Sequence, residues 1–202
     1  MIEVEIKVRI TDPEEMRNNF ETKNWAYKCS LLHEDTYFNM PEGLRDFRKS
    51  DEALRIRKYT EFNRNDKDSK EISKFFITYK GAKLNANTKT RKELESLIDE
   101  GDKVREILKL LGFKEVFTVK KERELYFFQY KNHHIEALID YLPILKSHFI
   151  EVEYQTESTK EIDAAQEILF DFLSTLGIKR EESIIKSYLE LIADKFKRKK
   201  KK

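Results

Sequence analysis

The chain of 202 residues carries 40 lysines and arginines against 38 aspartates and glutamates, so a sequence that is 39% charged has a formal net charge of only +2. All six residues from Lys197 to Lys202 are basic, which leaves the rest of the chain acidic at −4 and argues against a domain-wide nucleic-acid surface. Cys29 stands alone, which excludes a disulfide framework and a thiolate zinc site, and no apolar run reaches the roughly 18 residues of a membrane-spanning helix.

The alternating charges at Glu3, Glu5 and Lys7 predict no signal peptide, and the expected compartment is the cytoplasm. The length suits one domain over residues 1–196, with 197–202 as a disordered basic tail. That tail is the only surface from which nucleic acid or an anionic membrane contact is expected, and oligomeric state is left open.

The N-terminal segment alternates strictly: Ile2, Val4, Ile6, Val8 and Ile10 face one way, and Glu3, Glu5, Lys7 and Arg9 the other, which predicts a strand. Asp12 before Pro13, with Glu14 and Glu15 behind it, predicts a capped helix reaching about Lys23. Further strands are expected over Asp35–Phe38, Ala53–Tyr59, Lys74–Lys80, Thr88–Leu94, Glu115–Tyr130, Ile135–Tyr141 and Phe149–Gln155. Helices are expected over Asp102–Leu111, stopped by Gly112, over Lys160–Leu176 behind a Ser158/Glu161 capping box, and from about Glu182 to Phe196. The charged stretches Met40–Asp51 and Thr60–Ser73 read as exposed hairpin connections, and His133-His134 beside Asn132 as a turn.

Eight strands with flanking helices make an α+β fold, and its strand charges follow a pattern. Arg55 and Arg57 share a face, as do Lys121 and Arg123, Arg91 and Glu93, and Glu151 and Glu153, while Lys80 lies on the face of Thr78 and Asp140 opposite Ile139. Strand surfaces are ordinarily depleted in such residues. The carboxylates Glu3, Glu5, Glu93, Asp140, Glu151 and Glu153 suit a hard divalent cation such as Mg²⁺ or Mn²⁺. The cations Lys7, Arg55, Arg57, Lys80, Arg91, Lys121 and Arg123 suit phosphate oxygens. Both sets facing one interior would hold a polyphosphate and its metals. Cations crowded there would repel, so replacing Arg55, Arg57 or Arg123 by alanine is expected to weaken ligand binding while stabilising the empty fold.

These segments resemble the CYTH superfamily, the triphosphate tunnel metalloenzymes, which includes class IV adenylyl cyclases, thiamine triphosphatases and inorganic triphosphatases. Glu3-Val4-Glu5-Ile6-Lys7 resembles its E-x-E-x-K signature, Ala53–Arg57 its L-R-I-R strand, and Thr78–Gly81 its lysine-glycine turn. Thr90–Glu95, Lys121–Arg123, Ile139-Asp140 and Glu151–Glu153 are similar to its later charged strands, and Gly81–Leu84 and Lys186–Ile192 to the class IV cyclase branch.

The resemblance implies a closed eight-stranded antiparallel barrel, a tunnel with a polar interior and helices outside. It implies metal-dependent catalysis, with Glu3 and Glu5 holding the ion that activates the nucleophile, and Lys186 as a last phosphate contact. It also implies a small-molecule triphosphate as the substrate. Cyclisation of ATP, hydrolysis of a triphosphate, and binding without turnover stay open, as does a charged structural barrel tethered to nucleic acid by its tail.

Overall fold

A computed structural model describes the chain except residues 1, 24, 67, 69, 84–90 and 200–202. Eight strands form one wholly antiparallel sheet: β1 (Ile2–Ile10), β2 (Ala26–Asn39), β3 (Ala53–Phe62), β4 (Ile72–Lys83), β5 (Arg91–Ile98), β6 (Lys114–Tyr130), β7 (His133–Leu142) and β8 (Ser147–Thr156). Their order is β1-β8-β7-β6-β2-β3-β4-β5. The sheet curls until its edges β1 and β5 approach, but among the described residues no ladder joins them. The closed barrel expected above is therefore a half-barrel with a seam. Glu3 and Glu93 face each other there, and like charges across neighbouring strands oppose pairing.

The apolar sides of the strands lie on the convex face, where helices cover them. Helix α1 (Pro13–Thr22) starts as its cap dictates, Asp12 Oδ1 accepting the Glu15 amide at 2.9 Å. Its Met16 and Phe20 pack on Val4, Ile6 and Val8, together with Leu169, Phe172 and Leu173 of α3 (Ile162–Ser174). In a separate cluster, α2 (Gly101–Leu110) sets Leu108 against Phe38 and Ile56. Gly112, at φ 89°, ends that helix in the left-handed region that glycine adopts without strain. The last helix, α4 (Tyr188–Lys199), instead stands at one end of the concave side, with Tyr188 and Ile192 against Val119, Leu142 and Phe149.

Several expected boundaries move. β2 begins nine residues earlier than Asp35, because a central strand paired on both sides is buried on both faces and loses its alternation; a bulge between Tyr27 and Cys29 breaks it further. The β6–β7 turn is Lys131-Asn132, both at positive φ, so His133 and His134 open β7 instead of making the turn. Ser158 caps a 3-10 turn over Thr159–Glu161, while Glu161 accepts from the Thr156 hydroxyl and no reciprocal box forms there.

Helix α4 starts six residues later than Glu182. Residues 183–187 run beside β1, where the Ile184 amide donates to the Lys7 carbonyl at 2.7 Å, and a box of Ser187 and Glu190 then opens the helix. That helix takes in Lys197, Arg198 and Lys199, the first residues of the stretch read as a tail. The strand start expected over Thr88–Thr90, the Leu84 end of the Gly81–Leu84 match and the tail's last three residues lie outside the described residues. Phe47 is buried within the connection expected to be exposed.

Candidate functional site

The concave face divides into a cationic wall and a carboxylate seam. On the wall, strand alternation directs Asp35 of β2, Arg55 and Arg57 of β3, Lys121 and Arg123 of β6 and Asp140 of β7 to the same side. Arg57 grips Asp35 with both arms of its fork, Nε to Oδ1 at 2.6 Å and Nη2 to Oδ2 at 2.8 Å. Arg55 reaches the same carboxylate at 3.4 Å and donates to Thr78 Oγ1 at 3.2 Å, and the Thr78 hydroxyl donates to Glu95 at 2.7 Å. Burial alone would raise the Asp35 carboxyl, but the two guanidiniums hold it well below the usual carboxylate range.

A second network surrounds Arg123, which binds Asp140 at 2.6 and 2.9 Å and also donates to Glu151. The Tyr188 hydroxyl of α4 donates to Asp140 at 2.7 Å. Lys7 Nζ lies 3.5 Å from Glu151 and 4.0 Å from the centre of the Tyr188 ring, with Lys121 Nζ 5.2 Å from that ring. Burial, then the adjacent Arg123, pushes the Lys121 ammonium down to about 8. Tyr188 thus seats the C-terminal helix on the same charged groups that line the face.

At the seam the acids meet acids. Glu3, Glu5 and Glu153 each offer a carboxylate oxygen, and these atoms lie within 4.8 Å of one another. Glu5 pairs in register with Glu153, which pairs with Glu136 of β7, an acidic row across three strands. Burial pushes Glu3 up to about 7, with Glu93 and Glu5 adding to the rise and Lys80 and Arg55 opposing it. Burial, then Glu3, raises Glu153 well above its ordinary value, and burial raises Glu136.

This donor set fits a divalent cation. Its oxygens are hard, Glu3 and Glu153 resist ionisation without an added cation, and with metal–oxygen bonds of about 2.1 Å two ligands across an ion sit about 4.2 Å apart. The spacing of the three carboxylates agrees.

The expected residues thus fall into groups. Glu3, Glu5 and Glu153 come together, while Glu93 lies across the seam, ion-paired with Lys80. Asp140 and Glu151 belong to the Arg123 network. Lys7, Arg55, Arg57, Lys121 and Arg123 line the wall. Arg91 clasps the carbonyls of Asp51 and Gly81, each at 3.3 Å. Lys186 stands outside this constellation, its side chain 58% exposed and ion-paired with Asp194 at 2.5 Å.

Sequence reasoning missed Asp35, Glu136, Tyr188 and His33. Asp35 sat in a segment read as a strand, with nothing in the sequence to show that the strand is central and buried on both faces. Tyr188 lay within the matched Lys186–Ile192 segment, where attention went to Lys186, and Glu136 gave no signal, since a glutamate among apolar neighbours is ordinary.

The CYTH domain profile matches residues 1–188. Over 191 residues the chain is 41% identical to "Putative adenylate cyclase MJ0240" of Methanocaldococcus jannaschii, covering 95% of this chain and 98% of that one. The solved structure of protein PH1819 from Pyrococcus horikoshii is 36% identical, with a TM-score of 0.80 over 96% of this chain and 99% of its own. An adenylyl cyclase-like protein from Hippeastrum, described as having a dominant triphosphatase activity, shares the fold at 20% identity and a TM-score of 0.62, over 95% of each chain. No helix here is long and apolar enough to cross a membrane. With the profile running from the first strand to the start of α4, and with a relative 41% identical over 95% of it, the chain belongs to the CYTH family.

Proposed function

We propose that the protein is a divalent-metal-dependent enzyme acting on a small-molecule triphosphate, and that its reaction is the class IV cyclase one, ATP to cyclic AMP and pyrophosphate. One observation carries the proposal: three clustered carboxylates, Glu3, Glu5 and Glu153, share a concave face with Arg55, Arg57, Lys121 and Arg123. A phosphate chain between them would meet cations on one side and, through Mg²⁺ or Mn²⁺, acids on the other.

Glu3, Glu5 and Glu153 would hold the ion, which when bound supplies charge neutralisation and activation of the attacking oxygen. Arg57 and Arg123 are pre-set by Asp35 and Asp140, so their forks lose little freedom on meeting phosphate. Lys121 at about 8 is largely ammonium at neutral pH and gives up part of its hydration cost on pairing with an anion. The cyclase reading draws on the name of the relative at 41% identity.

Hydrolysis of thiamine triphosphate, a nucleoside triphosphate or tripolyphosphate is the second reading. The rings of Tyr188 and Tyr59 on the concave side favour it, because Lys7 Nζ lies 4.0 Å over the Tyr188 ring beside Phe149, and the Tyr59 ring lies against His33 and Phe76, so both rings are already engaged within the protein.

Incubation with ATP and Mn²⁺ and separation of the products tests both. Cyclic AMP with pyrophosphate supports cyclisation, ADP with phosphate supports hydrolysis, and Glu3→Gln should lower either rate by at least about a hundredfold, more than loss of an outer-shell partner. Failure to turn over ATP, tripolyphosphate or thiamine triphosphate would leave a binding module.

A further inference from the structure

His33 is 3% exposed, and neither ring nitrogen has a hydrogen-bond partner among the described residues. It projects from β2, the strand at the middle of the cationic wall, and pairs in register with Lys121 of β6 and Tyr59 of β3. The Tyr59 ring lies 5.2 Å away, tilted by 39°, and makes no hydrogen bond to it. The charged groups that face it are Asp35 on its own strand, Arg57 on β3, and Lys121 and Arg123 on β6. Burial, then these three cations, keeps the imidazole well below its ordinary range, so it is neutral with one donor and one acceptor nitrogen. Buried polar atoms without partners are rare in native interiors. Leu31, two residues earlier on the same face, shows that this strand accepts an apolar side chain in a buried position.

We infer that His33 is a substrate-contacting residue, whose ring N–H donates to a phosphate oxygen of the bound triphosphate beside Arg57 and Lys121. The inference rests on the triphosphate reading. Only an anion suits a donor ringed by cations, and the two orphan nitrogens are then explained by the ligand they await. Arrival of the polyanion also replaces the repulsion of three cations by attraction, so the second ring nitrogen takes a proton from solvent as the ligand binds. A ring kept only for packing would do neither.

The test is calorimetry of the full chain with sodium tripolyphosphate at pH 6.5 in EDTA, in two buffers of different ionisation enthalpy, for the wild type, His33→Gln and His33→Phe. Tripolyphosphate itself exchanges protons, so the quantity read is the difference between wild type and variant. His33→Phe should bind roughly tenfold or more weakly, as for loss of a hydrogen bond to a charged group. His33→Gln, which keeps an N–H, should bind within a few-fold of wild type but lack the wild type's extra proton uptake. Melting without ligand verifies that both variants fold, and the proton difference in His33→Gln decides the matter if His33→Phe does not. Equal proton uptake in wild type and His33→Gln, or undiminished affinity in folded His33→Phe, overturns the inference alone. A wild type that binds no tripolyphosphate either in EDTA or with Mg²⁺ added overturns the triphosphate reading and this inference with it.

Discussion

The two halves of the concave face carry opposite charges, and they also differ in how those charges are balanced. On the wall, each interior arginine already has a carboxylate: Arg55 and Arg57 share Asp35, and Arg123 holds Asp140 and Glu151. At the seam, Glu3, Glu5 and Glu153 crowd one another, and the first and last are driven toward their protonated forms. A wall balanced by its own acids is rigid and pre-oriented, whereas a seam of mutually repelling carboxylates is completed only by a cation from outside.

The largest effect that would break this comparison is on stability. Removing a buried partner leaves an uncompensated charge, so Arg123→Ala, with Arg123 only 7% exposed, should destabilise the protein by roughly 3–5 kcal/mol. That corresponds to a fall in melting temperature of about 10 °C. The sign is opposite to the expectation from charge pattern alone, under which the empty fold gains stability, because the pattern did not show that Asp35 and Asp140 already compensate the arginines. A rise in melting temperature for Arg123→Ala would show that the wall repels itself as the seam does.

A smaller effect sharpens the seam. Glu3 is raised from 4.5 to about 7 in the folded chain, so between these values the native state holds a proton that the unfolded state has lost. Metal-free protein should therefore lose stability as pH rises from about 4.5 to 7, by on the order of 3 kcal/mol. Glu3→Gln should flatten this slope, and saturating Mg²⁺ should remove it by favouring the ionised carboxylate. Melting curves from pH 5 to 7.5 with EDTA or with Mg²⁺ would reveal it, and a slope unchanged by Glu3→Gln would remove Glu3 from the cluster.

The smallest effect concerns Lys186, expected from the resemblance to contact phosphate but placed on the surface against Asp194. An exposed pair of this kind contributes little. Lys186→Ala should leave both the melting temperature and the affinity for tripolyphosphate unchanged within error, and a clear loss of affinity would show that α4 turns this residue inward when ligand binds.

Much of this was legible in the chain. The alternation of β1 and the paired charges of β3, β6 and β8 placed Glu3, Glu5, Arg55, Arg57, Arg123 and Glu153 on common faces, because a side-chain period of two is a local property. Asp35 and His33 were not recoverable in the same way. Their strand is central and buried on both faces, so its residues lose the contrast that marks an amphipathic strand.

What the sequence determined by itself, then, is which residues could share a face and which chemistry they could serve: strand periods, caps and charge types all act over a few residues. Which of those faces meet was decided only by the tertiary structure. The pairing order that brings β1 beside β8 and curls β5 toward it gathers Glu3, Glu5 and Glu153 into one cluster, and it separates Asp140 and Glu151 into the arginine network. That pairing depends on contacts more than a hundred residues apart, and on α4 docking Tyr188 against Asp140, where side-chain packing and charge balance outweigh any local preference.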